Sequence, residues 1–290
     1  MKEIVNYPDF SKMPEIIESL KNQVSEFKTV EELKKIFNCI DLTSLNTNDT
    51  TQKISQMVEK VNQFNSNFPH FNNVAAICVY PSFVSLVREN LKDNKVSLAA
   101  VGANFPSSQT FLSVKIAECE LIKEKGADEI DIVLSVGKFF DKEFDKVAAE
   151  INIIKKTIGE VHLKVILETG DLITLENIYL ASIISMESGA DFIKTSTGKT
   201  SVSATPEAVY SMCLAIKEHF NKTSKKIGIK PSGGIVTSED AILYYLIVKN
   251  VLGEEWLNNK LFRLGASRLA NNILTDVAKL SGDNKIINYF

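Results

Sequence analysis

The amino-acid sequence predicts a (β/α)8 TIM barrel with additional N-terminal helices, and three observations carry that expectation. Between Cys39 and Ser267, eight short β-branched runs alternate with longer segments of helical period, the pattern of repeated βα units around a parallel sheet. No G-x-G-x-x-G follows the first run and the units repeat without a reversal signal, which argues against an open doubly wound sheet. The chain has 290 residues, 44% of them hydrophobic and 24% charged, which is ample apolar material for one large core of the roughly 250 residues a barrel needs.

Taken in order, the first 38 residues carry two helical segments, KMPEIIESLKNQVSEF and TVEELKKIF, expected to pack outside the barrel. The strands follow as CIDLTSL (39–45), AAICVY (75–80), SLAAVGA (97–103), EIDIVLS (129–135), LKVILET (163–169), DFIKTST (191–197), KIGIKPS (226–232) and LFRLGAS (261–267). Segments between them, such as FLSVKIAECELIKEKGA and PEAVYSMCLAIKEHF, space apolar residues by three and four, so each can lay one stripe on a sheet. Two helices end in KEKGADEI and MESGADFI, where glycine can close the helix before the next strand. With no low-complexity linker, residues 1–290 are expected to form one domain, residues 1–38 being its helical extension.

Composition excludes several function classes. Net charge is −3 and the basic residues are spread without a dense block, so no nucleic acid or membrane surface is expected as a partner. Cys39, Cys78, Cys119 and Cys213 lie far apart with no C-x-x-C pair, which reads as reduced thiols. The N-terminal MKEIVNYPDFSKMPE lacks the continuous apolar core of a signal peptide, and a cytoplasmic location is expected. His70, His162 and His219 are isolated, read as surface or strand-end residues, and form no ligand pair, so no metal is expected. Gly198-Lys199-Thr200 superficially matches the end of a P-loop, but Ile193 stands where that motif needs glycine.

Chemistry enters through polar residues in strands. Alternate residues of a barrel strand point into the centre. By that rule Lys194 shares its direction with Phe192 and Ser196, Lys230 with Gly228, Asp131 with Glu129 and Val133, and Lys164 with Ile166 and Glu168; a register slip of one residue would reverse them all. Gly228 is expected to leave room beneath Lys230. One such lysine could be an ion pair plugging the barrel, but two on the neighbouring sixth and seventh strands would each disfavour the other's protonation, with burial adding to the effect. A neutral amine can condense with a carbonyl and serve as an electron sink for aldol cleavage, and Asp131, partnered by Lys230, is the carboxylate placed to move protons. Cys78, on the second strand, is either a small buried residue or a thiol bordering the substrate.

KTSTGKT, KPSGGI and LGASR place small residues directly after three late strands, where this fold often binds phosphate. Gly233 and Gly234 would let backbone amides approach an anion, Lys199 would add a charge and Ser267 a hydroxyl.

The segments DLTSLN, ICVYPSFV, GADEIDIVLSVG, LKVILETG, ADFIKTSTGK, GIKPSGGI and FRLGAS, in that order across residues 39–268, resemble deoxyribose-phosphate aldolase. The resemblance implies cleavage of 2-deoxyribose 5-phosphate to acetaldehyde and glyceraldehyde 3-phosphate with no cofactor. Its implied roles are Lys194 as the Schiff base, Lys230 lowering its pKa, Asp131 relaying protons through water, and Asp41, Cys78 and Lys164 in support. It implies a phosphate lying against Gly198, Gly233, Gly234 and Gly265 with Lys199 and Ser267 beside them, and a homo-oligomer, dimer or tetramer. Two departures fall near that phosphate: Val236 stands where members often carry Arg, and Arg268 where they commonly carry a small residue, so Arg268 is expected to supply the charge. NKIINYF resembles a family tail whose tyrosine can reach the phosphate, although Tyr289 is penultimate here. A different Schiff-base sugar aldolase would share the strand-six lysine but has no reason to carry KPSGG and EIDIV together, and a silent barrel would have no reason to keep both lysines and Asp131.

Overall fold

A computed structural model of the chain describes residues 6–290. Two helices, α1 (Met13–Phe27) and α2 (Val30–Phe37), precede the repeating part of the chain. There follow β1 (Ile40–Thr43), α3 (Thr51–Asn67), β2 (Ala76–Val79), α4 (Val84–Asn90), β3 (Ser97–Gly102) and α5 (Leu112–Glu124). Next come β4 (Glu129–Val133), α6 (Val136–Phe140), α7 (Phe144–Ile158), β5 (His162–Ile166), α8 (Thr169–Leu172) and α9 (Leu175–Glu187). The last units are β6 (Phe192–Lys194), α10 (Pro206–Thr223), β7 (Gly228–Lys230), α11 (Ser238–Leu252), β8 (Leu264–Ala266) and α12 (Leu269–Leu280). All eight predicted strands are present, each shorter than its apolar run.

Every strand pairs in parallel with its neighbours, in the order β7 through β1 to β8. Bridges between Ile229 and Phe262 and between Ser232 and Gly265 join β7 to β8, closing the ring as a (β/α)8 barrel. Local chemistry starts the helices: threonines 29, 50, 174, 205 and 237 each accept a backbone N–H at a helix N-cap, and Thr237 with Asp240 completes a capping box. The two predicted glycine stops hold, Gly126 and Gly189 having φ of +93° and +106° after α5 and α9. Outside the ring, α1 packs on α10 and α11, and α2 on α11 and α12. Among the described residues no helix is long and apolar enough to cross a membrane.

The inferred register holds. Ile130, Ile132, Val165, Ile193 and Ile229 face outward into the layer shared with the helices, each essentially fully buried. Their alternates face inward, where β2 and β3 contribute a small apolar cluster of Ala76, Cys78, Ala99 and Val101, joined by Leu45 just after β1. The other side of the interior is charged. Two expectations fail. Gly228 leaves no room, because the Phe192 ring fills it: a Cβ on Gly228 would lie 2.2 Å from that ring. His219 is buried on α10, at 7% exposure, because the inward stripe of that helix includes it. His162, at the start of β5, and His70 are exposed.

Candidate active site

β6 and β7 are adjacent, with Lys194 directly opposite Lys230, so both side chains enter the barrel together. Each ammonium donates to the same oxygen, Asp131 Oδ2, at 2.9 Å. Their nitrogens therefore lie no farther apart than twice that distance. Lys230 also pairs with Asp41 Oδ2 at 2.5 Å, while Lys164 donates to Asp131 Oδ1 at 3.0 Å and to Glu129. Asp41, Asp131, Lys164, Lys194 and Lys230 are thus one buried constellation. Cys78 is fully buried beside them, with Tyr80 and Phe105 packed against its apolar cluster. Burial pushes its thiol pKa up, so it stays protonated at neutral pH.

The two facing lysines divide their chemistry unequally. Burial is the largest influence lowering the Lys194 pKa; Asp131 opposes it and the Lys230 charge adds to it, and the result lies below the ordinary lysine value. Burial also acts against the charge on Lys230, but Asp131 and Asp41 outweigh it and push its pKa up. The mutual repulsion expected from sequence is therefore one-sided, and burial exceeds it, because Lys230 has two carboxylates and Lys194 only a share of one. Asp131 is itself held well below the usual carboxylate range: burial resists ionisation, and Lys164, Lys194 and Lys230 together overcome it.

Three further residues, Arg263, Glu129 and Glu168, complete the surroundings of this constellation. Arg263 donates to Asp41 Oδ1 at 2.6 Å and Glu129 Oε1 at 2.9 Å, and with Lys164 it stacks over the Phe192 ring, each 5.8 Å from its centroid. The same alternation that marked the lysines marks Arg263, which shares its direction with Gly265, and Glu129, which shares that of Asp131. Glu168 is different. It is a buried, non-glycine residue at φ +56°, and its carboxylate accepts from the Thr197 amide at 3.2 Å and hydroxyl at 2.5 Å, bracing the loop after β6. No periodicity announces that.

Above the constellation lies a cavity of about 210 Å³ lined by Gly198, Lys199, Gly233, Gly234, Gly265, Ser267 and Arg268, together with Val236. All the residues expected at the phosphate are gathered there. Gly233 and Gly234 have φ of +83° and +76°, and a Cβ on Gly233 would meet Ser203 Oγ at 2.5 Å, so a side chain is excluded on two counts. α11 and α12 begin within a few residues of this lining, which brings two helix N-termini to the cavity. The Lys199 ammonium donates to the Leu45 carbonyl, leaving two of its protons for a ligand. Arg268 is exposed, and among the described residues no carboxylate pairs with it.

Tyr289 lies elsewhere. Its hydroxyl donates to the Lys60 carbonyl at 2.6 Å and its ring packs edge-on against Phe64 and Phe68 of α3, while Asn271 accepts from its amide. The tail tyrosine is anchored on the outer helix layer instead of reaching the cavity.

Comparison with known proteins gives a consistent result. Residues 35–248 match the family described as DeoC/LacD family aldolase. The deoxyribose-phosphate aldolase of Homo sapiens is 39% identical over 284 residues, covering 93% of this chain and 87% of the relative. That of Agrobacterium fabrum is 40% identical over 241 residues, covering 82% and 89%. Among solved structures, QR15, an aldolase, superposes with a TM-score of 0.68 at 29% identity, over 83% of this chain and 96% of its own.

Proposed function

This chain belongs to the DeoC/LacD family of aldolases, and we propose that it reversibly cleaves 2-deoxyribose 5-phosphate to acetaldehyde and glyceraldehyde 3-phosphate through a Schiff base on Lys194. One observation carries the reading: a buried lysine that loses its proton more readily than usual shares a carboxylate oxygen, at 2.9 Å, with a second lysine that keeps its charge.

The uncharged Lys194 amine adds to the C1 aldehyde of the open-chain sugar, and loss of water from the carbinolamine forms the imine. The protonated imine nitrogen then draws electrons. Removal of the C3 hydroxyl proton lets the C2–C3 bond break, so C3 becomes the aldehyde of glyceraldehyde 3-phosphate and the bonding pair passes into an enamine. Protonation at C2 and hydrolysis return acetaldehyde and the free amine. Asp131 suits the relay of these protons through water, because it stays ionised and touches both amines. Asp41 and Lys164 hold Lys230 and Asp131 in register, and Cys78 borders the aldehyde as a neutral thiol. No metal or organic cofactor enters the scheme, since the iminium is the electron sink.

Reduction with borohydride in the presence of acetaldehyde, followed by mass mapping, tests this reading. The added ethyl group is expected on Lys194; labelling of another lysine in its place would refute it.

For the phosphate, Gly198, Gly233, Gly234 and Gly265 supply close backbone approach and Lys199, Ser267 and Arg268 polar groups, with Arg268 taking the part Val236 lacks. Arg268→Ala is expected to raise KM for the phosphorylated sugar about ten- to a hundredfold with little change in kcat. An unchanged KM in steady-state kinetics would remove Arg268 from the site. The reading extends to a single barrel domain in the cytoplasm, supported by four buried, unpaired cysteines, and to a homo-oligomer, supported by exposed Phe111 at the N-cap of α5 and Val114 and Leu121 along it.

A further inference from the structure

Seven ionisable side chains inside the barrel form one connected cluster. The carboxylates are Asp41, Glu129 and Asp131; the cations are Lys164, Lys194, Lys230 and Arg263. Each is linked to the others through contacts of at most 3.9 Å, and none has a side chain more than 6% exposed. Four cations against three anions leave one positive charge without a partner when every basic group is protonated. An uncompensated charge in such an interior is costly, and a lysine can relieve the cost by releasing its proton, whereas arginine cannot.

Contacts decide which lysine yields. Lys164 reaches Glu129, Asp131 and Asp41, and Lys230 reaches Asp131 and Asp41. Lys194 reaches only Asp131 Oδ2, the oxygen Lys230 also uses. Among the described residues, the other groups near this region make no ion pair with these seven. The Cys78 thiol is neutral, the Lys199 ammonium turns away to the Leu45 carbonyl, and the Glu168 carboxylate is occupied by Thr197 and Thr200 hydroxyls, with no cation in ion-pair reach among the described residues.

We infer that Arg263 is a positioning residue for the reaction: by occupying Asp41 and Glu129 from the lower end of the barrel, it supplies the surplus cation that leaves the Lys194 amine free to attack. Lys230 alone does not suffice. Without Arg263 three lysines would face three carboxylates, and all three could hold their protons. The inference rests on the Schiff-base reading of Lys194, which wild-type labelling tests separately.

The experiment follows the pH dependence of Lys194 labelling by acetaldehyde and cyanoborohydride, mapped by mass, in the full-length enzyme. Arg263→Met is expected to move the midpoint to higher pH by about one unit or more. Arg263→Lys, which keeps the charge, is expected to stay near wild type. The double variant Arg263→Met/Glu129→Gln removes one cation and one anion, and its midpoint is expected to return toward wild type, which a merely structural role for Arg263 would not produce. Glu129→Gln alone leaves four cations with two anions, and its midpoint is expected to fall. The inference is overturned by an unmoved midpoint in Arg263→Met, or by a double variant no nearer wild type than the single. If Arg263→Met does not fold, an unchanged or raised midpoint in Glu129→Gln overturns it. A wild-type enzyme labelled elsewhere than Lys194 refutes the reading beneath it instead.

Discussion

Lys194→Met is expected to lower kcat for deoxyribose phosphate cleavage by at least about four orders of magnitude while the fold persists with an equal or higher Tm. In the proposed reaction the amine is the covalent nucleophile and no neighbour can replace it, since Lys230 and Lys164 are both held protonated by the carboxylates around them, against their burial. Stability is spared for the same reason activity is lost. Lys194 is the cation with the fewest partners, so removing it leaves three cations on three carboxylates, and methionine fills a similar volume. A coupled assay for glyceraldehyde 3-phosphate and a thermal melt followed by circular dichroism measure both arms. Residual activity above about one per cent of wild type would place the nucleophile elsewhere.

Lys230→Leu is expected to lose both activity and stability. Its ammonium ties Asp41 to Asp131, and leucine would take one cation contact from each of these two buried carboxylates, a change that costs about 3–5 kcal/mol when one partner of a buried pair is removed. Lys194 would then no longer share Asp131 Oδ2 with Lys230 and would hold its proton, so activity at neutral pH is expected to fall about 10²- to 10⁴-fold and to recover partly in alkali. The acid limb follows from the carboxylates. Asp41 and Asp131 titrate below the ordinary aspartate value, so the stability they contribute is present above the unfolded value of about 4 and is lost as pH falls through their lowered folded values. Removing Lys230 raises those folded values, and the variant is expected to unfold at a higher pH than wild type in acid titration followed by fluorescence of Trp256. Coincident acid midpoints would show that Lys230 does not hold these carboxylates ionised.

The alternation of inward and outward residues was legible because it is a property of single strands. Asp131, Lys164, Lys194 and Lys230 stand out in otherwise apolar runs, and their direction follows from a period of two. Arg263 and Glu129 carry the same signal, but no partner within their own strands gives it a meaning. Their partner relations span the whole chain: Arg263 and Asp41 are joined only when β8 closes on β1. The cavity proposed for the phosphate was legible as small residues following three late strands, since glycine at positive φ is a local requirement. The burial of His219, the Phe192 ring beside Gly228 and the left-handed backbone at Glu168 had no such signal.

The order of eight βα units, the face each strand turns inward and the glycine turns above them were determined by the sequence alone, because each depends on residues within one unit. Only the closed ring decided which charges meet, and with them why the Lys194 pKa lies below the ordinary lysine value and that of Lys230 above it. Charge compensation is a sum over every group within a few ångströms, and those groups come from five different strands and the residue just before a sixth, brought together by tertiary closure.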